Sequence, residues 1–285
     1  MPFDPGAPAS STLAVCSWSL APDGPQSLAR TVSGQLGLDR LQLALDPIRT
    51  GAWQLLETRS ALDDAGVTIV SGMMAPQDED YSSIEAIRRT GGFRRSETWK
   101  ANLDAAEANA NLAADLGLTL VTMHAGAIPS DPGPDRSEIL DRLRSVVDIF
   151  DARGVRVAFE TGQERAADMR SALDDLDRPS AGINFDPANV LLYGAGDPID
   201  ALLALLPRVV QCHLKDATPS SEPDEWGTEV PVGQGAVDWP AFLKIVSSAP
   251  RPLDLVIERE AGPSRVEDVR AAIGYIETLR AEPEA

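Results

Sequence analysis

Eight short apolar runs, each followed by a segment of helical spacing, constrain this chain more than any other feature. The runs are 12–18, 39–45, 67–72, 118–123, 155–159, 181–185, 209–216 and 253–257. They are short and rich in Val, Ile and Leu, which marks strands buried on both faces. Helical spacing fills 25–36, 50–65, 98–116, 135–153, 164–176, 197–206, 238–247 and 264–281. Pro25 and the pair Asp197-Pro198 open two of these segments, and Gly37 and Gly66 close two others. Strict alternation at about 30 residues per unit predicts an α/β chain folded as a (β/α)8 TIM barrel. An open doubly wound sheet is the rival, with its site at a strand-order switch instead of a ring. Strand count and a length of 285 residues favour one barrel over 12–285. The Pro-, Ala- and Ser-rich stretch 1–11 reads as a loose arm.

Two segments break the rhythm. Residues 73–97 are long and weakly patterned, with a helix expected over 82–90 and a hinge at Gly91-Gly92. Residues 217–237 form a second long loop, whose glycines fit neither nucleotide-binding spacing. Both loops are expected to line one mouth and to close partly over a substrate.

The formal net charge is −19. That argues against nucleic acid as a partner, although a local basic patch can coexist with it. No apolar run reaches membrane-spanning length and no secretory signal is visible, so a cytoplasmic protein with no membrane partner is expected. Cys16 and Cys212 both fall in predicted strands and are expected as buried free thiols. The sequence leaves a homo-oligomer open.

The chemistry gathers at strand ends. Residues 209–216, VVQCHLKD, run from apolar into His213, Lys215 and Asp216. Alternation puts Gln211, His213 and Lys215 on one face and Cys212 and Leu214 on the other. Glu160, Asp186, His213 and Glu258 each close one of four successive strands, at gaps of 26, 27 and 45 residues. In a barrel the C-terminal strand ends meet at one mouth. Three carboxylates and an imidazole there suit one hard or borderline divalent ion. Mn²⁺ is the first choice, with Mg²⁺, Co²⁺ and Zn²⁺ open. Taken singly, each of these residues would read as a strand-end or helix cap.

MHAG at 123–126, FETGQE at 159–164, NFDPAN at 184–189, CHLKD at 212–216, VPVGQGAVDW at 230–239 and VIEREAG at 256–262 resemble the xylose-isomerase-like barrel superfamily. Members are often labelled sugar phosphate isomerases or epimerases. The order of Glu160, Asp186, His213 and Glu258 resembles that of the ketose 3-epimerases, which hold one ion with Glu, Asp, His and Glu. The resemblance implies a small polyhydroxylated substrate, with Glu160 and Glu258 as catalytic carboxylates on opposite faces of the sugar. One would remove the proton next to a carbonyl and the other would return it, through a metal-stabilised enediolate.

The chain departs from that branch at two substrate-holding positions. Asn189 stands where the branch has a histidine, and Pro219 where it has an arginine. The HLKD form resembles inosose and dehydroshikimate dehydratase relatives, so dehydration of a keto-sugar or keto-cyclitol is the alternative reaction. A non-catalytic sugar-binding barrel is the third reading. A DNA-repair nuclease of the superfamily would need a histidine-rich trinuclear zinc site, and this chain has two histidines.

His124, Lys215, Asn189 and Trp18 are the expected substrate-binding residues. Core packing is the competing reading for His124 and Trp18, and a salt bridge within the mouth for Lys215. Glu260 shares strand parity with Glu258, and Asn184 could hydrogen-bond inside the barrel. Arg94 and Arg95 read first as solvated surface residues, and otherwise as groups closing over an acidic substrate. Trp226 reads as a lid residue or an interface anchor.

Overall fold

The computed structural model describes residues 12–222 and 224–281. The proposed arm at 1–11 lies outside them. Eight parallel strands close a barrel: β1 (Leu13–Cys16), β2 (Arg40–Ala44), β3 (Thr68–Met73), β4 (Leu120–Met123), β5 (Arg156–Glu160), β6 (Gly182–Phe185), β7 (Val209–Leu214) and, after an inserted hairpin of β8 (Asp216–Thr218) and β9 (Thr228–Val230), β10 (Asp254–Ile257). The order around the barrel is β1-β10-β7-β6-β5-β4-β3-β2.

Alternation along the strands sorts side chains into two layers. Leu41, Leu43, Val121, Met123, Phe159, Phe185, Cys212 and Leu214 point outward into the apolar layer under the helices. Gln42, Ser71, Thr122, Asn184 and Gln211 are buried in the interior and bond to one another. Gln42 donates to Thr122 Oγ1 at 2.8 Å, Ser71 to Gln211 Oε1 at 2.6 Å, and Gln211 to Asn184 Oδ1 at 3.2 Å. This network satisfies polar groups that burial would otherwise penalise. Strand register shifts beside Gln42 in β2 and beside Asn184 in β6. Such irregularities re-aim the side chains that follow them.

Several expected boundaries are corrected. The first strand stops at Cys16, and a 3-10 turn over Ser17–Leu20 carries Trp18. The 25–36 segment is a short α-helix, Pro25–Ala29, that widens into a π turn over Arg30–Gln35. The helix expected over 50–65 starts only at Leu55 and ends at Asp64, and a separate helical turn, Asp46–Arg49, precedes it, with Gly51 at φ +81° between the two. A helix missing from the sequence reading, Pro187–Leu192, follows β6 and is capped by the Asp186 carboxylate. The 217–237 loop contains the β8–β9 hairpin. Asp216 shapes that insertion. Its carboxylate accepts from the backbone N–H groups of Gly233, Gly235 and Val237 and from Trp239 Nε1. Both cysteines are buried and free. Among the described residues no helix is long and apolar enough to cross a membrane.

Candidate functional site

The parallel register brings four polar strand ends to one rim. β5 ends at Glu160, while Asp186 and Glu258 directly follow β6 and β10 and His213 is the penultimate residue of β7. Glu258 N still donates to Leu214 O at 3.1 Å, so the ladder holds its backbone. Thr161 Oγ1 accepts from Asp186 N at 2.8 Å and donates back to Asp186 O at 3.0 Å, tying the β5 and β6 ends together. Glu160, Asp186, His213 and Glu258 are 6%, 0%, 0% and 4% exposed, and one ligating atom from each lies within 4.8 Å of all the others. Together they form an acidic cup able to hold a metal ion.

The cup leaves ligand atoms unused. Asp186 Oδ1 caps the Pro187–Leu192 helix, accepting from Ala188 N and Asn189 N, while Oδ2 is buried with no hydrogen-bond partner. His213 Nδ1 and Glu258 Oε2 are 3.2 Å apart, yet both also lack a hydrogen bond of acceptable geometry. Asp186 Oδ2 and His213 Nδ1, both orphaned, converge with Glu258 Oε2, whose neighbour is the Lys215 ammonium 3.0 Å away, and the three fit a bound cation.

The imidazole is oriented from behind. Gln42 Oε1 lies 2.8 Å from His213 Nε2, and because the Gln42 amide nitrogen donates to Thr122, its oxygen is free to accept. This contact assigns a proton to Nε2 and turns Nδ1 toward the cup. Asn184 Nδ2 donates to Glu160 Oε2 at 3.3 Å and lies 3.0 Å from the same Nε2, a contact that is no hydrogen bond in this tautomer. Cys16, His213 and Glu258 make a second grouping able to hold a metal. Its thiol sits beside Nε2 at 3.8 Å, and burial keeps it protonated, so the four-residue set fits better.

Burial alone would push each carboxyl upward. In Glu160 this is outweighed by His213 and His124, which hold it well below the usual range. In Glu258 it is outweighed by Lys215 and His213, and the carboxyl falls to about 2. In Asp186 burial prevails over Lys215 and the carboxyl rises to about 8. Asp186 is therefore the acid whose charge is least compensated by its protein neighbours.

The flanking residues form two groups. On the β4 side, His124 Nδ1 lies 2.9 Å from Tyr81 Oη and 3.3 Å from Glu79 Oε2, and Nε2 lies 3.8 Å from Glu160 Oε1. Asn189 Nδ2 donates to Glu160 Oε1 at 2.9 Å, so it holds that carboxylate. On the β10 side, Trp18 Nε1 donates to Glu258 Oε1 at 2.7 Å. Lys215 Nζ lies 3.0 Å from Glu258 Oε2, 2.6 Å from Glu260 Oε2 and 3.8 Å from Asp186 Oδ2. The salt bridge considered for Lys215 is thus present, with Glu260 as a partner. A cavity of about 30 Å³ over Glu160 is lined by Glu79, Tyr81, His124, Asn189 and Tyr193 among others. Trp226 packs against Tyr193 with ring centroids 4.8 Å apart and ring planes tilted by 59°. Arg88 and Asp224 join the two long loops, with Nη2 and Oδ1 4.0 Å apart.

The sequence reading missed Gln42, Glu79, Tyr81 and Tyr193. Gln42 had a signal, a lone amide in the apolar run RLQLA. Glu79 and Tyr81 sit in the segment without periodicity.

Comparisons with known proteins agree with this architecture. The chain is similar to a xylose isomerase domain protein from Planctomyces limnophilus, with a TM-score of 0.82, 27% identity, and coverage of 96% of this chain and 97% of that one. It is similar to an L-ribulose 3-epimerase structure in fold, with a TM-score of 0.70, 15% identity, and coverage of 95% and 96%. A 3-oxo-isoapionate decarboxylase from Pectobacterium atrosepticum is 25% identical over 129 residues, which span 44% of this chain and under half, 46%, of that protein. The family model described as xylose isomerase-like TIM barrel matches residues 33–279, and the chain belongs to that family.

Proposed function

We propose that Glu160, Asp186, His213 and Glu258 hold one divalent ion, Mn²⁺ by first choice, and that the chain isomerises or epimerises a keto-sugar or related polyol by moving a proton next to a carbonyl. The observation that carries this reading is the convergence of four buried ligating groups, three of whose ligand atoms make no hydrogen bond within the protein. Three carboxylate oxygens and one imidazole nitrogen also suit Mg²⁺, Co²⁺ or Zn²⁺. When bound, such an ion polarises a substrate carbonyl and an adjacent hydroxyl and so acidifies the C–H bond between them.

The protein's own groups supply the proton steps. Glu160 is held ionised by its imidazole neighbours and takes the proton. His124, ion-paired to Glu79, stands 3.8 Å from Glu160 and helps keep that carboxylate ionised until it takes the proton. Glu258 lies across the cup as a carboxylate held at Oε1 by Trp18 Nε1, and the proton it delivers to the opposite face is drawn from the Lys215 ammonium 3.0 Å from Oε2. Tyr81 and Tyr193 narrow the opening above Glu160 and limit water there.

A second reading is a lyase, in which loss of water follows the same enolisation, or loss of carbon dioxide from a keto acid itself leaves the enolate that is then protonated. Lys215 favours it, being a buried ammonium at the cup where a leaving oxygen could be protonated. The similarity to a decarboxylase over part of the chain supports it as well.

Both readings are tested by a panel of sugars and keto-sugars incubated in D₂O with added Mn²⁺ and read by mass spectrometry and NMR. Deuterium at a stereocentre with mass otherwise conserved identifies epimerisation, and mass loss identifies the lyase. Turnover that proceeds normally in both E160Q and E258Q rules out the carboxylate mechanism. Metal analysis of protein purified without chelator is expected to give one ion per chain, lost in H213A. Unchanged stoichiometry in both H213A and E258A rules out the cup.

A further inference from the structure

The chain has 44 acidic and 25 basic residues, yet one cleft reverses that balance. Its volume is about 710 Å³, and it opens between the 88–97 segment and the loops that follow β4 and β5. Arg88, Arg89, Arg94, Arg95 and Arg165 line it. The acids in its walls are Glu97, Glu164 and Asp168. Glu164 accepts from Ile128 N at 3.1 Å, and burial shifts its carboxyl toward the neutral form. Five guanidinium groups therefore face three wall carboxyls, with Glu85 beside Arg88 and Arg89 at 3.9 and 3.6 Å on the outer side.

The arginines at the inner wall are braced. Arg142, 7% exposed, reaches from the helix Pro134–Asp151 and donates to Phe93 O at 2.9 Å, to Arg94 O, and to Ser96 Oγ at 2.7 Å. Its guanidinium lies 5.5 Å from the Trp99 ring centroid. Arg94 Nη1 donates to Ala127 O at 2.6 Å. Gly92 N and Phe93 N are held by Glu79 Oε1 and Ala125 O. A buried arginine is thus used to fix the backbone that presents Arg94 and Arg95. Arg165 makes no ion pair or side-chain hydrogen bond among the described residues, and Arg95 has only Glu97 at 3.7 Å. Holding like charges together in this way is unfavourable unless an anion meets them.

The cleft is continuous with the reaction centre in its lining. Gln163 and Glu164 border both this cleft and the small cavity over Glu160. Gln163 Oε1 is buried with no hydrogen-bond partner, so a substrate hydroxyl passing between the two spaces would satisfy it.

We propose that the arginine cleft is an oxyanion subsite, holding the phosphate or carboxylate end of a substrate whose keto end sits over the acidic cup. The proposal rests on the cup being the reaction centre. It narrows the substrate class from free sugars to acidic sugar derivatives, and it explains how an anion is drawn to a strongly acidic protein.

Calorimetric titration tests this with four probes: D-fructose 6-phosphate, D-gluconate, D-fructose and inorganic phosphate. Mn²⁺ binding is measured separately, and thermal unfolding confirms that variants are folded. The phosphorylated or the carboxylated probe is expected to bind at least about tenfold more tightly than fructose, the worth of a charge-assisted hydrogen bond. Whichever arm shows the gain identifies the oxyanion. Inorganic phosphate is expected to compete, and R95Q/R165Q to remove the gain while Mn²⁺ binds as before. No gain for either acidic probe, or a gain undiminished in R95Q/R165Q, overturns the subsite. If the gain is present and arginine-dependent but Mn²⁺ does not bind the wild type, the subsite stands and the cup reading fails.

Discussion

Gln42 Oε1 lies 2.8 Å from His213 Nε2, behind the imidazole and away from the carboxylates of the cup. The amide is itself fixed, because its nitrogen donates to Thr122 Oγ1 at 2.8 Å. The pair converts a flexible ring into one with its lone pair aimed at a defined point. Q42L is expected to weaken Mn²⁺ binding by about 10- to 100-fold, the usual effect of losing a partner behind a metal ligand. Q211L serves as the control, since Gln211 belongs to the same interior network but bonds Ser71 and Asn184 instead. It is expected to lower the unfolding temperature with less change in Mn²⁺ affinity. Equal affinity losses in the two variants would show that interior packing, and not ring orientation, sets metal binding.

Lys215 is the internal counter-ion of the cup, within 3.0 Å of Glu258 and 3.8 Å of Asp186. K215M leaves buried carboxylates uncompensated, at a cost of about 3 kcal/mol in metal-free protein. A divalent ion replaces the missing charge, so the destabilisation is expected to shrink when Mn²⁺ is added. Thermal unfolding with chelator and with excess Mn²⁺ measures both. An identical loss under the two conditions would separate Lys215 from the metal site.

The parts of this site that are legible in sequence share one property. Glu160, Asp186, His213 and Glu258 each interrupt or end an apolar run, and strand alternation then fixes their direction. Gln211 is legible for the same reason. Trp18 is legible as a residue but not as a contact, because the 3-10 turn that aims it at Glu258 depends on neighbouring loops. Glu79 and Tyr81 lie in a segment without periodicity, and tertiary contacts alone place them. Asp216 reads as one more polar strand end, whereas its role is to gather N–H donors from residues 233–239. The β8–β9 hairpin depends on that gathering, which explains why three-residue strands could not be seen in the sequence.

Gly92 is the point of closest backbone packing described for the 73–97 segment against the loop after β4. Its φ is +62°, and an added Cβ would lie 2.1 Å from Ala125 C and Gly126 N. Gly117 has a similar φ, +74°, but open space around it. G117A is therefore expected to cost about 1 kcal/mol, the backbone term alone. G92A adds a collision with backbone atoms and is expected to cost more and to free the segment. Urea midpoints give the two costs, and mapped limited proteolysis is expected to show new cleavage within 79–95 in G92A only. Similar behaviour of the two variants would mean that the Gly92 contact does not anchor the segment.

Glu79 makes that anchoring pH-dependent. Its side chain is 8% exposed and lies 3.3 Å from His124 Nδ1, while Oε1 accepts from Gly92 N at 2.7 Å. Burial alone would raise the carboxyl, but His124, Gly92 N–H and Tyr81 outweigh it and hold it below its usual 4.5. A carboxyl with a depressed folded-state pKa stabilises the fold fully above its unfolded value, and that contribution is lost as pH falls through the folded value. E79Q cannot ionise and lacks the contribution at every pH. The stability gap between wild type and E79Q is therefore expected to be about 2 kcal/mol at neutral pH, the scale of a buried charge-assisted hydrogen bond. It is expected to hold down to about pH 4.5 and then to close as Glu79 protonates. Urea unfolding of both proteins across this range measures the gap, with chelator present so that metal loss does not add its own pH dependence. Protection of the Gly92 amide, taken relative to its intrinsic exchange rate at each pH, is expected to fall over the same acid interval in the wild type, because protonation weakens the carboxylate that accepts from it. A gap that stays constant into acid would show that Glu79 anchors the segment as a neutral hydrogen-bonding group, and the ion pair with His124 would then play no part in holding it.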